Sequence, residues 1–305
     1  MKKLGLATAL LLAMTGAHAY QVEVQGQSEF INATDLNDKD FTGAAQGTFY
    51  FKNVDASKGP LAEAAFLNQA SNVSAAYSFA ELSGDETLTV KNNSFGAKGE
   101  AYLPTPYLPV YTSASYSHSQ TKAEDEKDNG DRYTLEVGTM LTPNFLVAVG
   151  YTRVSDQIAL DANNVLENGV FNTVADSLII GEKQDVVTAR TKYVGNIDGT
   201  NMAVGFESNL VYGENKAYGF KTDLYLTPKL SIGASYAEAN FSSNQDSDNF
   251  SPITSAWGAN VNYFITPAIA VGASYVNANA KAAEVEGMTV NTDIQTVGVN
   301  AKFRF

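Results

Sequence analysis

Residues 226–236, LTPKLSIGASY, contain a Thr-Pro turn followed by a stretch in which aliphatic or aromatic side chains alternate with small or polar ones. Two other segments repeat this design: LTPNFLVAVGY at 141–151 and ITPAIAVGASY at 265–275. Alternation with a period of two is typical of a β-strand, because successive side chains of a strand point to opposite faces. A repeat made of one turn and one strand indicates an array of hairpins.

The same alternation continues through the chain as fourteen runs, which start near 20, 41, 71, 88, 109, 132, 145, 186, 200, 217, 230, 253, 268 and 292. The connections between them alternate between two kinds. One kind is mostly short and holds seven of the eight prolines, whereas the other is polar, mostly acidic and variable in length. This pattern predicts an all-β fold: a transmembrane antiparallel up-and-down β-barrel of about 14 strands, with short periplasmic turns and longer extracellular loops. A large soluble β-sandwich is the alternative, although Tyr and Phe near the strand ends are typical of membrane interfaces.

The start of the chain has the features of a secretory signal peptide. A basic start and an apolar run at 1–14 precede the small-x-small motif AHA at 17–19. We therefore expect residues 1–19 to be a cleaved signal peptide, with cleavage between Ala19 and Tyr20. Residues 20–305 are then a single outer-membrane β-barrel domain, located in the bacterial outer membrane. A short buried helix or an N-terminal anchor is the alternative reading of the apolar run.

Composition excludes several classes of protein. The chain has no cysteine, so disulfides, thiol nucleophiles and cysteine metal sites are excluded. After the signal peptide no apolar stretch approaches the length of a transmembrane helix, and the mean hydropathy is −0.16. The net charge is −13, or −15 once Lys2 and Lys3 are removed, which argues against a nucleic-acid partner.

The negative charge is concentrated in the polar connections. The seven expected outer loops carry a net charge of −15 in total; they are 32–40, 83–87, 119–131, 155–185, 213–216, 242–252 and 280–291. An acidic mouth concentrates cations, so we expect a weak cation preference. The alternative is that these loops are acidic only because they must be soluble.

Alternation also assigns side chains to the two faces of the barrel wall. In the closing run TVGVNAKFRF at 296–305, the aliphatic and aromatic side chains share one face, and Lys302 and Arg304 lie on the other. If the apolar face meets lipid, the expected pore-lining charges are Glu23, Lys98, Glu100, Arg132, Glu136, Arg190, Lys192, Glu207, Lys221, Asp223, Lys302 and Arg304.

A barrel of this size should enclose a wet pore. Fourteen tilted strands give a backbone diameter of roughly 28 Å, which leaves about 15 Å between side chains before any loop folds in. We expect basic and acidic lining residues to create a transverse field across a constriction. The alternative is that these charges pair with one another into a salt-bridged plug.

The segment 53–71 departs from the simple turn pattern on the periplasmic side. Pro60 can open a short helix that continues through Leu61, Ala64, Phe66 and Leu67. The helix either tucks under the barrel mouth or forms a structured turn outside it.

Four stretches carry a resemblance to a known family: KNVDASKGPLAEAAFLNQASNVS at 52–74, GEAYLPTPYLPVY at 99–111, TARTKYVGNIDGTNMAVGFE at 188–207 and VNYFITPAIAVGASYV at 261–276. These stretches resemble the putative general porin family of Acinetobacter. The resemblance implies a monomeric passive porin of a Gram-negative outer membrane, in a family whose members are also discussed as virulence factors. Similarity to outer-membrane proteins further implies that Phe303 and Phe305 are the signal read by the barrel-assembly machinery.

The sequence therefore predicts a porin, a passive diffusion channel for water and small hydrophilic solutes. Expected partners are outer-membrane lipid and lipopolysaccharide, the barrel-assembly machinery, the solutes and host surface proteins. Two alternatives remain: a surface adhesin that uses the barrel as an anchor, and a closed barrel that stabilises the envelope.

No enzymatic constellation is expected. After the signal peptide the chain has one histidine, His118, beside Ser117 and Ser119 and near the acids at 124–126. A catalytic triad would need that histidine to contact a nucleophile and a carboxylate together. No His pair or calcium-type loop is present, so we expect no catalytic residue, no metal site and no cofactor.

Overall fold

The computed structural model describes residues 19–33, 40–83, 89–123, 126–155, 163, 170–177, 183–241, 253–285 and 288–305. The predicted signal peptide therefore lies outside the described residues except for Ala19. The strands are β1 (Ala19–Ala33), β2 (Asp40–Asp55), β3 (Asn72–Ser83), β4 (Thr89–Leu103), β5 (Val110–Ala123), β6 (Glu126–Thr142), β7 (Phe145–Ser155), β8 (Gln184–Asn196), β9 (Ala203–Tyr212), β10 (Lys216–Thr227), β11 (Leu230–Asn240), β12 (Ile253–Thr266), β13 (Ile269–Val285) and β14 (Met288–Arg304). The helices are a 3-10 helix (Leu61–Glu63), α1 (Ala64–Leu67) and α2 (Val170–Ser177).

The fourteen strands form a closed barrel in which each strand pairs with its neighbours in sequence and β1 pairs with β14. All pairings are antiparallel, as between β1 and β14, where Glu23 is opposite Arg304 and Phe30 is opposite Val297. The predicted up-and-down barrel of fourteen strands is therefore confirmed. Because the barrel is closed, no strand has an unpaired edge. An open sheet in lipid would leave the backbone N–H and C=O groups of its edge strands without hydrogen-bond partners.

Both described ends of the chain lie at the same end of the barrel, which we call the terminal end; the opposite end is the distal end. The connections 56–71, 104–109, 143–144, 197–202, 228–229 and 267–268 lie at the terminal end. These connections include the proline-marked turns of the sequence. Among the described strands, the longest separation along the chain is between β7 and β8 at the distal end, and α2 lies within it.

Two predicted distal loops are wrong in extent. The sequence pattern predicts a loop over 119–131, but β5 continues to Ala123 and β6 starts at Glu126. Residues 280–291 likewise belong mostly to β13 and β14. The physical reason is that the strands continue to pair beyond the apolar band of the barrel. Both faces of a hairpin can be polar there, so hydrophobic alternation no longer indicates a strand.

The outer face of the wall is apolar and aromatic. In β14, Val297 and Val299 are each 52% exposed and Phe303 is 40% exposed, whereas Arg304 on the opposite face is 2% exposed. Exposed rings contact each other across neighbouring strands, as Tyr77 does with Phe95. A solvent-facing sheet would not present such a surface, whereas a lipid-facing barrel requires it.

Two helical segments enter the barrel. Residues 56–70, which include the 3-10 helix and α1, fill the terminal end, and we call them the terminal plug. At the distal end α2 packs against the inner faces of β10, β11 and β12. The helix predicted from Pro60 is thus confirmed, and it lies inside the barrel mouth.

Candidate functional site

The lumen holds all twelve charged residues that alternation assigned to the inner face. Each of them takes part in an ion pair, and the pairs are Glu23 with Lys302 and Arg304, Lys98 with Glu100, Glu136 with Arg190, Lys192 with Glu207, Lys221 with Asp223, and Arg132 with Asp176. Most of these pairs join neighbouring positions on the wall, whereas Glu136 and Arg190 are on strands separated by β7, and Asp176 belongs to α2. Opposite charges therefore lie side by side. This arrangement follows the salt-bridged alternative and leaves little of the transverse field that the sequence suggested.

A first cluster closes the seam between β1 and β14. Arg304 Nε donates to Glu23 Oε2 at 2.7 Å, and Lys302 Nζ lies 3.1 Å from Glu23 Oε1. The guanidinium of Arg304 lies 4.4 Å from the ring centre of Tyr20 and 4.7 Å from that of Phe264. Arg304 also donates to the Leu61 carbonyl at 2.8 Å. The seam residue therefore lies beneath the terminal plug, and this buried contact takes the place of the pore-lining position expected for Arg304.

A second cluster crosses the middle of the lumen. Arg190 binds Glu136 through two hydrogen bonds of 2.7 and 3.0 Å, from Nε and Nη2. Its Nη2 also donates to the Tyr111 hydroxyl at 2.8 Å, and that hydroxyl donates to Glu100 Oε1 at 2.7 Å. Lys98 lies 3.2 Å from Glu100. Such charge-assisted, shared hydrogen bonds fix the side chains in place.

The terminal plug is attached to the wall by both apolar and polar contacts. Phe66 packs in a buried cluster with Tyr111, Leu146, Val194 and Tyr225. The Leu61 amide donates to the Pro228 carbonyl at 2.8 Å. Together with the Arg304 contact, these bonds hold both backbone groups of Leu61.

Glu63 is the charged contact of the plug, and the sequence did not identify it. Its carboxylate lies 3.0 Å from Lys192 Nζ and accepts a hydrogen bond of 2.7 Å from the Tyr225 hydroxyl. Lys192 in turn lies 2.9 Å from Glu207 on the wall. Burial is the largest single influence and disfavours the charged carboxylate, but the Lys192 ammonium, the Tyr225 hydroxyl and the Lys221 ammonium together outweigh it and hold the pKa of Glu63 below its ordinary value of 4.5.

The distal helix α2 is held mainly by small side chains. Val170, Val174 and Ala175 are buried in a cluster that includes the inward alanines 217, 237, 239, 256 and 278 of β10–β13. At Gly219 an added Cβ would lie 2.6 Å from Phe171 Cδ2, and at Gly258 it would lie 2.8 Å from Val170 Cγ1. Because Gly219 and Gly258 have no side chain, the wall leaves the space that α2 occupies.

One ion pair adds to this packing. Arg132 Nη1 on β6 donates to the Asp176 carboxylate of α2. Arg132, which the sequence predicts to line a pore, therefore binds α2 to β6. The alanines that pack against α2 lie on the opposite side of the lumen, on β10–β13.

Between the two inward segments lie two cavities. The larger, of about 280 Å³, is lined by charged groups such as Glu23, Lys98, Lys192 and Asp223 together with the plug residue Phe66. The smaller, of about 140 Å³, lies beside α2 and is lined by Arg132, Glu136 and Phe171 among others. Four residues line both cavities: Lys98, Arg190, Glu207 and Lys221. The estimate of about 15 Å of free width does not describe this conformation, because two chain segments fold inward.

The sequence holds only indirect signs of α2 and none of Glu63, the two contacts that alternation does not predict. Inward alanines and glycines on β10–β12 interrupt the polar lining, and Val170, Val174 and Ala175 have helical spacing. Glu63 could not be found from alternation, because its segment is helical and its partners come from β8 and β10.

His118 does not form a triad with its neighbours. Its Nδ1 lies 2.9 Å from Asp131 Oδ1, which also accepts a hydrogen bond of 2.6 Å from Tyr116. Ser117 and Ser119 are buried on the inner face, because adjacent residues of a strand point to opposite sides. The acids at 124 and 125 lie outside the described residues.

No group of three or more His, Asp or Glu side chains among the described residues is placed to hold a metal ion. No helix in the described part of the chain is long and apolar enough to span a bilayer.

Comparisons with known proteins identify the family. The family model described as "Putative general bacterial porin" matches residues 1–296. The crystal structure of the Acinetobacter baumannii outer membrane protein Omp33 is similar, with 51% sequence identity and a TM-score of 0.66 over 95% of this chain and 100% of that one. A monoaromatic hydrocarbon channel, the TodX deltaS2 mutant, shares the fold at 10% identity and a TM-score of 0.51, over 94% of this chain and 90% of that one. No curated protein matches the chain.

The match to Omp33 places this closed antiparallel barrel among outer-membrane porin structures. Since the family model covers nearly all of the sequence, the chain belongs to the general bacterial porin family.

Proposed function

We propose that this protein is a porin of the bacterial outer membrane, a passive and non-enzymatic diffusion channel for water and small hydrophilic solutes. One observation carries the proposal: an apolar outer wall surrounds a lumen whose charged residues line two neighbouring cavities. Polar groups inside a barrel in lipid need water or partners, so such a lumen is suited to hydrophilic passengers.

The orientation follows from the connections. The terminal end, with its mostly short turns, faces the periplasm, and the distal end faces outward, as in other bacterial outer-membrane barrels. The terminal plug then closes the periplasmic mouth, and α2 narrows the outer half.

Passage depends on these inward segments. The four residues shared by the two cavities mark the route between them: Lys98, Arg190, Glu207 and Lys221. Water and small solutes use this route, and larger hydrophilic solutes pass only when the plug or α2 is displaced.

Selectivity is weak and favours cations. Since the charges of the lumen are paired with one another, they add little bias of their own. The acidic distal connections supply the bias by raising the local concentration of cations at the mouth.

The proposed partners follow from this placement. They are outer-membrane lipid and lipopolysaccharide, the barrel-assembly machinery acting on Phe303 and Phe305, the transported solutes and host surface proteins. We propose that the barrel functions as a monomer.

Purified protein in planar bilayers tests the proposal, with heat-denatured protein as the control. We expect discrete conductance steps, swelling of liposomes in small sugars and a reversal potential that favours cations in a salt gradient. The absence of both conductance and swelling would contradict the channel. Binding to host cells without conductance would instead favour the adhesin that uses the barrel as an anchor.

A further inference from the structure

Three lysines face outward at the distal end and lie directly opposite one another on neighbouring strands. The register pairs Lys91 of β4 with Lys122 of β5, and Lys122 with Lys127 of β6. All three side chains are exposed, and alternation places them on the membrane-facing side of the wall. With strands about 4.8 Å apart, the row spans about 10 Å.

The row is the outermost of several on the same face. One step inward, Asn93, Gln120 and Asn129 are opposite one another, and Gln120 Nε2 donates to Asn129 Oδ1 at 3.3 Å. Further inward come aromatic rings: Phe95, Tyr116 and Tyr133, of which the last two are 5.1 Å apart between ring centres. Aromatic girdles lie at the membrane interface, so the amides and lysines above this one are at the level of lipid headgroups.

Among the described residues, the lysine row has little compensating charge. Like charges directly opposite on neighbouring strands are destabilising. Lys91 has a partner, Glu81, at 3.1 Å. For Lys122 and Lys127 no ion pair is found within the described part of the chain. The next carboxylate on this face, Asp131, accepts hydrogen bonds from Tyr116 and His118.

We propose that the distal ends of β4, β5 and β6 bind the phosphorylated headgroup of a glycolipid of the outer leaflet, the lipid A portion of lipopolysaccharide. Lys122 and Lys127 contact its phosphate oxygens, and the row of amides below donates and accepts hydrogen bonds at the sugar and acyl-ester level. Charge complementarity favours this occupant, because two lysines with no ion pair among the described residues would lie at the depth of membrane phosphates. The proposal rests on the outer-membrane placement given above and does not depend on channel activity.

The test compares a double variant with a charge-matched control. In Lys122→Gln/Lys127→Gln the row loses the two charges that have no ion pair among the described residues, whereas Lys58→Gln/Lys229→Gln removes two exposed lysines at the terminal end, one at the start of the terminal plug and one in the turn 228–229. Full-length protein in detergent is titrated with diphosphoryl lipid A, and the bound fraction is counted by native mass spectrometry. We expect the double variant to bind about 10- to 30-fold more weakly than the unaltered protein, and the control to bind within twofold of it.

Two further probes separate the sources of the anion. Dephosphorylated lipid A should bind as weakly to the unaltered protein as diphosphoryl lipid A does to the double variant. Excess inorganic phosphate should not displace diphosphoryl lipid A, since the site recognises a phosphate fixed at the membrane surface.

Several outcomes would overturn the proposal. Equal affinity of the double variant and the unaltered protein would mean that the acids at 124–126 neutralise the lysines. An equal loss in the control would mean that the effect is one of net charge, and full competition by inorganic phosphate would mean a site for free anions. Because conductance can be measured on the same samples, failure of this site and failure of the channel are distinguishable.

Discussion

The terminal plug and α2 fill opposite halves of one lumen, yet they are retained by different interactions. The plug packs Phe66 against the wall, and directed polar contacts add to this packing: Glu63 with Lys192 and Tyr225, and Leu61 with Arg304. The distal helix instead lies mainly on a floor of alanines and glycines, and its polar contacts with the wall include the ion pair of Asp176 with Arg132 and a hydrogen bond from Ser177 to the Ile253 carbonyl. A polar attachment depends on charge state and geometry, whereas an apolar one depends on fit, so the two ends of the channel should respond to different perturbations.

The largest effect is expected at the apolar floor. In Val174→Asp a carboxylate would enter a buried alanine cluster without a partner, at a cost of several kcal/mol, and α2 should leave the lumen. We expect single-channel conductance to rise several-fold in planar bilayers. Thr173→Asp places the same charge on the exposed side of the same helix and should leave conductance unchanged. If both variants conduct like the unaltered protein, α2 does not limit passage.

Removing the charge of the plug should have the next largest effect. Glu63→Gln breaks a buried ion pair, at a cost of about 3 kcal/mol, although Lys192 keeps Glu207 as a partner. The fraction of time spent in the high-conductance state should rise at least about tenfold. Glu81→Gln is the matched control, since it breaks an exposed pair with Lys91 that contributes less than about 1 kcal/mol. An equal response of both variants would show that the buried pair does not hold the plug.

A smaller effect is expected from filling the space beneath α2. In Gly219→Ala the new Cβ would meet Phe171 at 2.6 Å, so the helix must shift, at a cost of about 1 to 2 kcal/mol. Protease cleavage between β7 and β8 should become faster. At Gly99 an added Cβ meets nothing within 4 Å, and Gly99→Ala should be cleaved at the original rate. Unchanged cleavage in Gly219→Ala would mean that α2 is not held by this fit.

The smallest effect is a response of the plug to acid. Because the folded-state pKa of Glu63 is lowered, its contribution to plug binding is complete above the ordinary value of 4.5 and is lost as pH falls through the lowered value. Conductance through the periplasmic half should therefore rise only below about pH 4.5. Glu63→Gln should lack this acid-induced step, and a step of equal size in that variant would assign it to another carboxyl.

The sequence predicted the two faces of the wall well, because alternation depends only on the strand backbone. Lys302 and Arg304 lie on the inner face, opposite Phe303, for this reason. The ion pairs could not be predicted, because they depend on the register of hairpins such as β8 with β9, where Lys192 is opposite Glu207.

What fills the lumen was harder to predict than what lines it. The plug helix was indicated by Pro60, but its depth in the barrel depends on Tyr225 and Lys192, far away in sequence. The position of α2 was missed because alternation describes strands and carries no information about a loop that folds inward. An indirect sign of it in the strands was the series of inward alanines on β10–β13, whose small side chains leave space for a helix.

The contact between Arg304 and Leu61 also has a consequence for the order of folding. It joins residues 243 positions apart, so the plug emerges early in synthesis while one of its anchors is the last strand. Contacts of such long sequence separation form late, because the chain between them must be ordered first. We therefore expect the plug to dock only after β14 has joined β1, which makes a seated plug a marker that barrel assembly is complete.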